Sequence, residues 1–274
     1  MIMNLQKIIL ALGTVNGISI WDASAEKANH ALCEIERLIL DADKRLSIFR
    51  PDSEISKLNA CAGKKVVNIS PETLEILSDA IKMQDGTNGA FDITKGASHN
   101  ALILDAEEHT AFLKKKGIRV DLGGIAKGYV ADQVRRILSE EGISNALINL
   151  GGTVVCHGVE REVEIRNPMH GSHSPLLTIS SRNEIIATSG TYERGAHIWD
   201  PRTGKNAETD LIAVTVIGEN GADTDALATA CMVLGLRESA SLLQKRKESA
   251  IFVLRSGGIF VTERLRNQIV KKGA

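Results

Sequence analysis

The stretch Val120-Asp121-Leu122-Gly123-Gly124-Ile125-Ala126-Lys127-Gly128-Tyr129-Val130-Ala131-Asp132 constrains the fold more than any other. Gly117 to Val120 leads into it as a short strand. Ile125, Tyr129, Val130, Val134, Ile137 and Leu138 then recur at a helical period. Two glycines therefore stand between strand and helix, where unpaired backbone N–H groups lie beside the positive end of a helix dipole and suit a phosphate. Lys127 falls in the first helical turn and opposes that dipole, which an anionic ligand would explain. An ordinary turn with a solvated lysine is the alternative reading of this stretch alone.

The nature of that anion is narrowed by charge. With 33 basic and 34 acidic residues the net charge is −1, so nothing points to nucleic acid or an anionic membrane surface. Apolar residues make up 43% of the chain and aromatics 3%, so the core must be built mainly from Ile, Leu, Val and Ala. Cys33, Cys61, Cys156 and Cys231 are scattered without a CxxC pair, which argues against disulfides and a zinc site. Cys33 and Cys231 sit in apolar helical patterns, where a thiol behaves as a small hydrophobe.

From the amino terminus, Met1 to Ala11 is too short an apolar run for a signal peptide, no lipidation cysteine follows, and it passes into a first hairpin reaching Trp21. No stretch is long and apolar enough to cross a membrane. As the chain stands this predicts a cytoplasmic protein, or a periplasmic one if the amino terminus was trimmed. Ser24 to Leu46 reads as an amphipathic helix, Ser53 starts a short helix with a capping box, and Ser70-Pro71 starts another. Val66 to Ile69 is a short strand between them, and Lys114-Lys115-Lys116 a solvated run. Strands are expected at Ala146–Leu150, Val163–Ile165, Ile185–Thr188, Ile212–Ile217, Ala250–Leu254 and Gly258–Thr262, with helices from about Ala222 to Leu234 and beyond. Pro168 to Pro175 is a loop whose His170 and His173 read as surface histidines. No linker or repeat divides the chain, and strands and helices do not alternate strictly. The reading is an α+β fold in one compact domain over 1–274, with 265–274 a loosely ordered tail.

Two further stretches carry chemistry. Asp225 and Thr229 are four apart on one helical face among alanines and leucines, offering hard oxygen ligands of the kind magnesium takes beside substrate phosphates. The plainer alternative is a capped, packed helix start. His197 and Asp200 flank Ile198-Trp199, an arrangement in which a carboxylate can orient a histidine base. GxSxG, HExxH, Walker A and GxGxxG motifs are absent.

Together these stretches resemble the ApbE-type FAD:protein FMN transferases. The matching pieces run in family order: Leu12-Gly13-Thr14, Leu46 to Phe49, Ser53 to Asn59, Gly89 to Thr94, Asp121 to Asp132, Asn149 to Gly152, Ala187 to Gly190, His197 to Gly204, and Asp225 to Thr229. Leu12 replaces the methionine usual in that family.

The resemblance implies one ApbE-like domain of mixed or antiparallel sheets flanked by helices. It also implies a magnesium-dependent enzyme that splits FAD, transfers FMN to a threonine or serine hydroxyl of a partner flavoprotein, and releases AMP. Carried over, the metal ligands would be Asp225, Thr229 and the Gly124 carbonyl. Asp121 and Lys127 would contact FAD, and Leu12, Phe49, Ala90, Phe91, Asp92 and Ile198 would line its flavin or adenosine sites. His197 would be the base that activates the acceptor hydroxyl, with Asp225 also serving catalysis. Two other readings use the same residues: a magnesium-dependent FAD pyrophosphatase, and a flavin-binding protein without turnover.

Overall fold

In a computed structural model that describes residues 2–97, 100–169, 174–191, 198–246 and 248–272, the chain starts as an antiparallel hairpin. Its strands are β1 (Ile2–Ala11) and β2 (Thr14–Ser24). The Ser24 side chain accepts the Lys27 N–H and begins α1 (Ala25–Leu46), whose buried Ala28, Ala31, Leu32, Ile35, Ile39, Ala42 and Leu46 form the expected stripe. Cys33 departs from expectation, because it lies on the exposed face of α1. The helix α2 (Glu54–Ala60) is capped by Ser53, β3 (Val67–Asn68) follows, and α3 (Pro71–Gly86) is capped by Ser70. The capping box at Ser53 is not reciprocal: Ser56 turns its hydroxyl to the Ser47 carbonyl, and Glu54 accepts instead from Ser70.

Next come β4 (Leu102–Asp105) and β5 (Thr110–Leu113), which pair with β3 in a small sheet. Strands this short hold too few alternations to register a period in the sequence. The remaining elements are α4 (Ala126–Glu140), β6 (Asn145–Leu150), β7 (Thr153–Gly158), β8 (Arg161–Ile165), β9 (Leu177–Ser181), β10 (Ile185–Gly190), β11 (Trp199–Asp200), β12 (Lys205–Asn206), β13 (Leu211–Gly218), α5 (Gly221–Arg246), β14 (Ser249–Leu254), β15 (Ile259–Val261), a 3-10 turn (Glu263–Gln268) and β16 (Ile269–Lys272). Residues 269–272, within the stretch expected to be a loose tail, are therefore paired to β9. The helix α5 carries a non-helical Gly235 at φ 75°, so it is two segments, as the sequence reading had it. By length and apolarity alone α5 passes as a membrane span, but more than half of that window is buried in the protein and Gly235 kinks it.

An eight-stranded antiparallel sheet, in the order β1-β2-β6-β7-β10-β13-β14-β15, organises the molecule. Alternation sends Ile185 and Ala187 of β10, Val214 and Val216 of β13, and Phe252 of β14 into the core beneath the helices. Their neighbours Ile186, Ala213, Ile217 and Ile251 face a second core under the small sheet β16-β9-β8. Because β13 is covered on both faces, its sequence reads as a nearly continuous apolar run.

Candidate functional site

The glycine turn is not fed by a strand. Residues 117–120 have no ladder partner, and a side chain pins Val120. Asn59 of α2 donates to the Val120 carbonyl at 2.9 Å and accepts the Val120 N–H at 2.7 Å, and the Asp121 N–H donates to Ile93 O at 2.8 Å. The amide thus stands in for a strand partner at Val120. The turn also spends most of the N–H groups expected to cradle a phosphate. Asp121 Oδ1 takes the Gly123 N–H at 3.0 Å, and Leu122 O takes those of Ile125 and Ala126. The residue at the N-cap of α4, Ile125, makes no side-chain capping hydrogen bond.

What faces this turn is the first segment of α5. Gly128 and Gly221 meet so closely that a Cβ on Gly128 would lie 2.0 Å from Gly221 O and 2.7 Å from Asp225 Cβ. Asp132 of α4 accepts the N–H groups of Gly221 and Ala222 at 2.8–3.0 Å, capping α5 across the interface. Burial raises the Asp132 pKa above the usual carboxylate range, and those two N–H bonds oppose the rise only in part. The close approach delivers Asp225, 3% exposed, to the turn: its Oδ2 accepts the Gly128 N–H at 3.0 Å. Lys127 Nζ lies 3.7 Å from the same oxygen and donates to Gly123 O at 3.3 Å, which offsets its unfavourable place in the helix dipole.

One turn further along α5, Thr229 packs against Gly124. A Cβ on Gly124 would lie 2.9 Å from Thr229 Oγ1 and 3.3 Å from Phe91 Cε2. The structure therefore brings together Gly124, Lys127, Asp225, Thr229 and Phe91, with Ser189 Oγ of β10 at 3.3 Å from Thr229 Oγ1. Ala90 and Phe91 are buried at the end of α3, where Thr87 Oγ1 accepts the Phe91 N–H. Asp92 holds its own loop, accepting from Thr94 N–H and hydroxyl and from Gly96 N–H. Asp121 Oδ2 pairs with Lys95 Nζ at 2.9 Å.

Lys95 is a residue the sequence reading passed over. Its carbonyl accepts from Trp199 Nε1 at 3.1 Å, and a Cβ on the adjacent Gly96 would lie 2.4 Å from Pro201 O. This joins the loop 92–96 to the segment carrying the buried Ile198. Asp200 is committed to Arg202, accepting from its backbone N–H at 2.9 Å and its guanidinium at 3.1 and 3.2 Å. Burial pushes the Asp200 pKa up, but the Arg202 bonds outweigh it and hold the carboxyl below its ordinary range. Arg202 is thus the side-chain partner of Asp200 among the described residues. His197 lies outside the described residues, as do His170 and His173.

Leu12 and Phe49 stand apart from this cluster in their contacts. Leu12, at φ 55° on the hairpin tip, donates its N–H to Asp43 Oδ1 at 2.9 Å. Asp43 Oδ2 lies 3.8 Å from Arg50, beside Phe49, a residue 87% exposed.

The donors present decide what the cluster can hold. Among the described residues no group of three His, Cys, Asp or Glu side chains is gathered as for zinc. One carboxylate, one hydroxyl and the carbonyls of a glycine turn form a sparse all-oxygen set, suited to a hard divalent cation that completes its shell with water and phosphate oxygens. That a lysine ammonium already lies beside Asp225 shows that the spot attracts positive charge. A surface depression of about 620 Å³ lined by His157, Arg182 and Asn183 shares no residue with this cluster.

The sequence profile of the ApbE family matches residues 12–107 and 98–253. A curated relative from Treponema pallidum (strain Nichols), named FAD:protein FMN transferase, is 30% identical over 86% of this chain and 80% of its own. Another of that name from Klebsiella pneumoniae (strain 342) is 29% identical over 84% of each. Among solved structures, the flavin transferase ApbE from Vibrio cholerae superposes with TM-score 0.84 at 22% identity, covering 98% of this chain and 100% of its own. The ApbE protein from Thermotoga maritima does so with TM-score 0.87 at 24% identity, covering 97% and 99%. These likenesses define the fold as that of the flavin transferases. The chain belongs to the ApbE family.

Proposed function

We propose that this member of the family is a magnesium-dependent FAD:protein FMN transferase, attaching FMN through a phosphoester to a threonine or serine of a partner flavoprotein. The observation that carries this reading is the meeting of Asp225 and Thr229 with the Gly124 turn and Lys127, four oxygen- or cation-bearing elements drawn from two helices and a loop. The relatives from Treponema pallidum and Klebsiella pneumoniae are named FAD:protein FMN transferase, which supports the same reaction.

In the proposed reaction the acceptor oxygen bonds to the FMN phosphorus, the bridging P–O bond breaks, and AMP leaves with the bridging oxygen. Magnesium held by Asp225, Thr229 and the Gly124 carbonyl would neutralise charge on the pyrophosphate. Lys127, moved from Asp225, would add its ammonium to the same phosphates. Phe91 and Ala90 would wall the flavin or adenosine, and Asp121 and Ile198 would complete that wall with the Lys95–Trp199 contact behind them. Leu12 and Phe49 would reach it from the rim. His197, directly before Ile198 in the chain, would take the acceptor proton.

The test is mass analysis of a candidate acceptor flavoprotein incubated with the protein, FAD and magnesium, with AMP measured in parallel. An FMN adduct matched by AMP is expected. AMP and FMN without an adduct would replace the reading by a pyrophosphatase, and FAD binding without AMP by a binding protein. Asp225→Ala should abolish turnover, whereas His197→Ala should slow transfer and leave FAD affinity nearly intact. Wild-type rates in the first variant, or lost FAD binding in the second, would refute the respective assignment.

A further inference from the structure

Hydroxyls inside helices commonly bond back to the carbonyl four residues earlier. Ser78, Ser139 and Thr224 all do so, at 2.7, 2.9 and 2.5 Å. Thr229 differs: among the described residues, the partner of its hydroxyl is Ser189 Oγ, 3.3 Å away on another element. The placement of Ser189 follows from the sheet. Ile185 and Ala187 face the helices, so Ser189 two residues on points to the same side, toward α5. Next to it Thr188 faces the other way and bonds Thr215 across the ladder at 2.9 Å.

A hydroxyl that gives a lone pair to a cation must send its proton elsewhere, and a back-bonded threonine would do so along its own helix. With its O–H directed at Ser189 Oγ, the Thr229 oxygen keeps a lone pair for the side of Gly124, where a Cβ on that glycine would lie 2.9 Å from Thr229 Oγ1. We propose that Ser189 is a positioning residue for the cation site: its Oγ accepts the Thr229 proton and so fixes the direction of that ligand's lone pair. The inference rests on the metal reading above and assigns a role to a residue that touches neither cation nor substrate.

The experiment titrates the purified apo protein with Mn2+, followed by electron paramagnetic resonance, and needs no turnover. Ser189→Ala should weaken Mn2+ binding roughly 3- to 10-fold, the loss of one hydrogen bond. Ser189→Thr, which keeps a hydroxyl on the strand, should restore most of it. In a Thr229→Ala background, Ser189→Ala should add nothing, because the two act as one unit. Wild-type affinity in a folded Ser189→Ala protein would overturn the proposal. So would an equal loss in both backgrounds, which would make Ser189 an independent ligand or a purely structural residue. Asp225→Ala separates the two levels of argument: unchanged Mn2+ binding there would remove the metal site itself, whatever Ser189 does.

Discussion

Replacing Gly128 by alanine strikes the contact on which the site depends. The added methyl would lie 2.0 Å from Gly221 O, 2.5 Å from Gly221 C and 2.7 Å from Asp225 Cβ. These atoms are backbone or bonded to it, so no rotamer change relieves them. To bring the closest pair to ordinary contact near ~3.5 Å, α4 and α5 must part by roughly 1.5 Å. Alanine's better helix propensity returns about 1 kcal/mol. Overpacking costs about 1–3 kcal/mol, and the upper end applies where backbone must move. The net loss is about 2 kcal/mol, which lowers the melting temperature by roughly 4–8 °C in a chain of this size. The same parting stretches the Gly128 N–H bond to Asp225 and draws Thr229 from the turn, so Mn2+ affinity should fall with stability. Gly86→Ala is the control, since its new methyl would meet no backbone, only the side-chain end of Arg246, with Nη1 at 3.2 Å. Differential scanning calorimetry and Mn2+ titration of both variants decide the matter. A Gly128→Ala protein that melts like wild type, or loses no more than Gly86→Ala, would refute the reasoning.

The loop ahead of the turn should be equally sensitive from a distance. Asn59→Ala leaves the N–H and C=O of Val120, a residue 1% exposed, without their partner, and should cost about 1–3 kcal/mol in urea unfolding; no loss would mean that water replaces the amide. The cysteines should divide by environment. Burial pushes the Cys231 thiol up to about 12, so at pH 8 about one in ten thousand is thiolate. Burial also raises Cys156. A thiol reagent should therefore label exposed Cys33 and half-exposed Cys61 in the native protein, and Cys156 and Cys231 only on unfolding; four fast equivalents would contradict this packing.

The parts of the fold that were legible are those whose causes are local. Ser24 and Ser70 cap helices by bonding N–H groups three residues on, and the stripe of α1 repeats every turn, so both are written within a few positions. Asp225 and Thr229 were legible as a pair for the same reason, being one helical turn apart. The partners of these residues were not legible. Asn59 and Val120 are 61 residues apart, and Gly128 and Asp225 are 97 apart, and neither pairing leaves a periodic mark. Residues 117–120 illustrate the limit: their composition asks for a strand, but Gly117 lies in a turn, the rest have no ladder partner, and what satisfies Val120 is one asparagine distant in the chain.

The same distinction explains why Gly124 and Gly128 matter more than a turn requires. A glycine in or beside a turn is ordinarily explained by backbone freedom, yet neither has a positive φ. Each is small because a second helix occupies the space a side chain would take: Thr229 at Gly124, and Gly221 with Asp225 at Gly128. The spacing of those two glycines, four residues, matches the spacing of Asp225 and Thr229 on the opposing helix. The two small positions therefore admit the carboxylate and the hydroxyl together. A larger residue at Gly124 would meet the Thr229 hydroxyl first, and one at Gly128 the Gly221 backbone and Asp225 Cβ, so the glycines are requirements of the helix contact that holds the oxygen cluster more than of the local backbone.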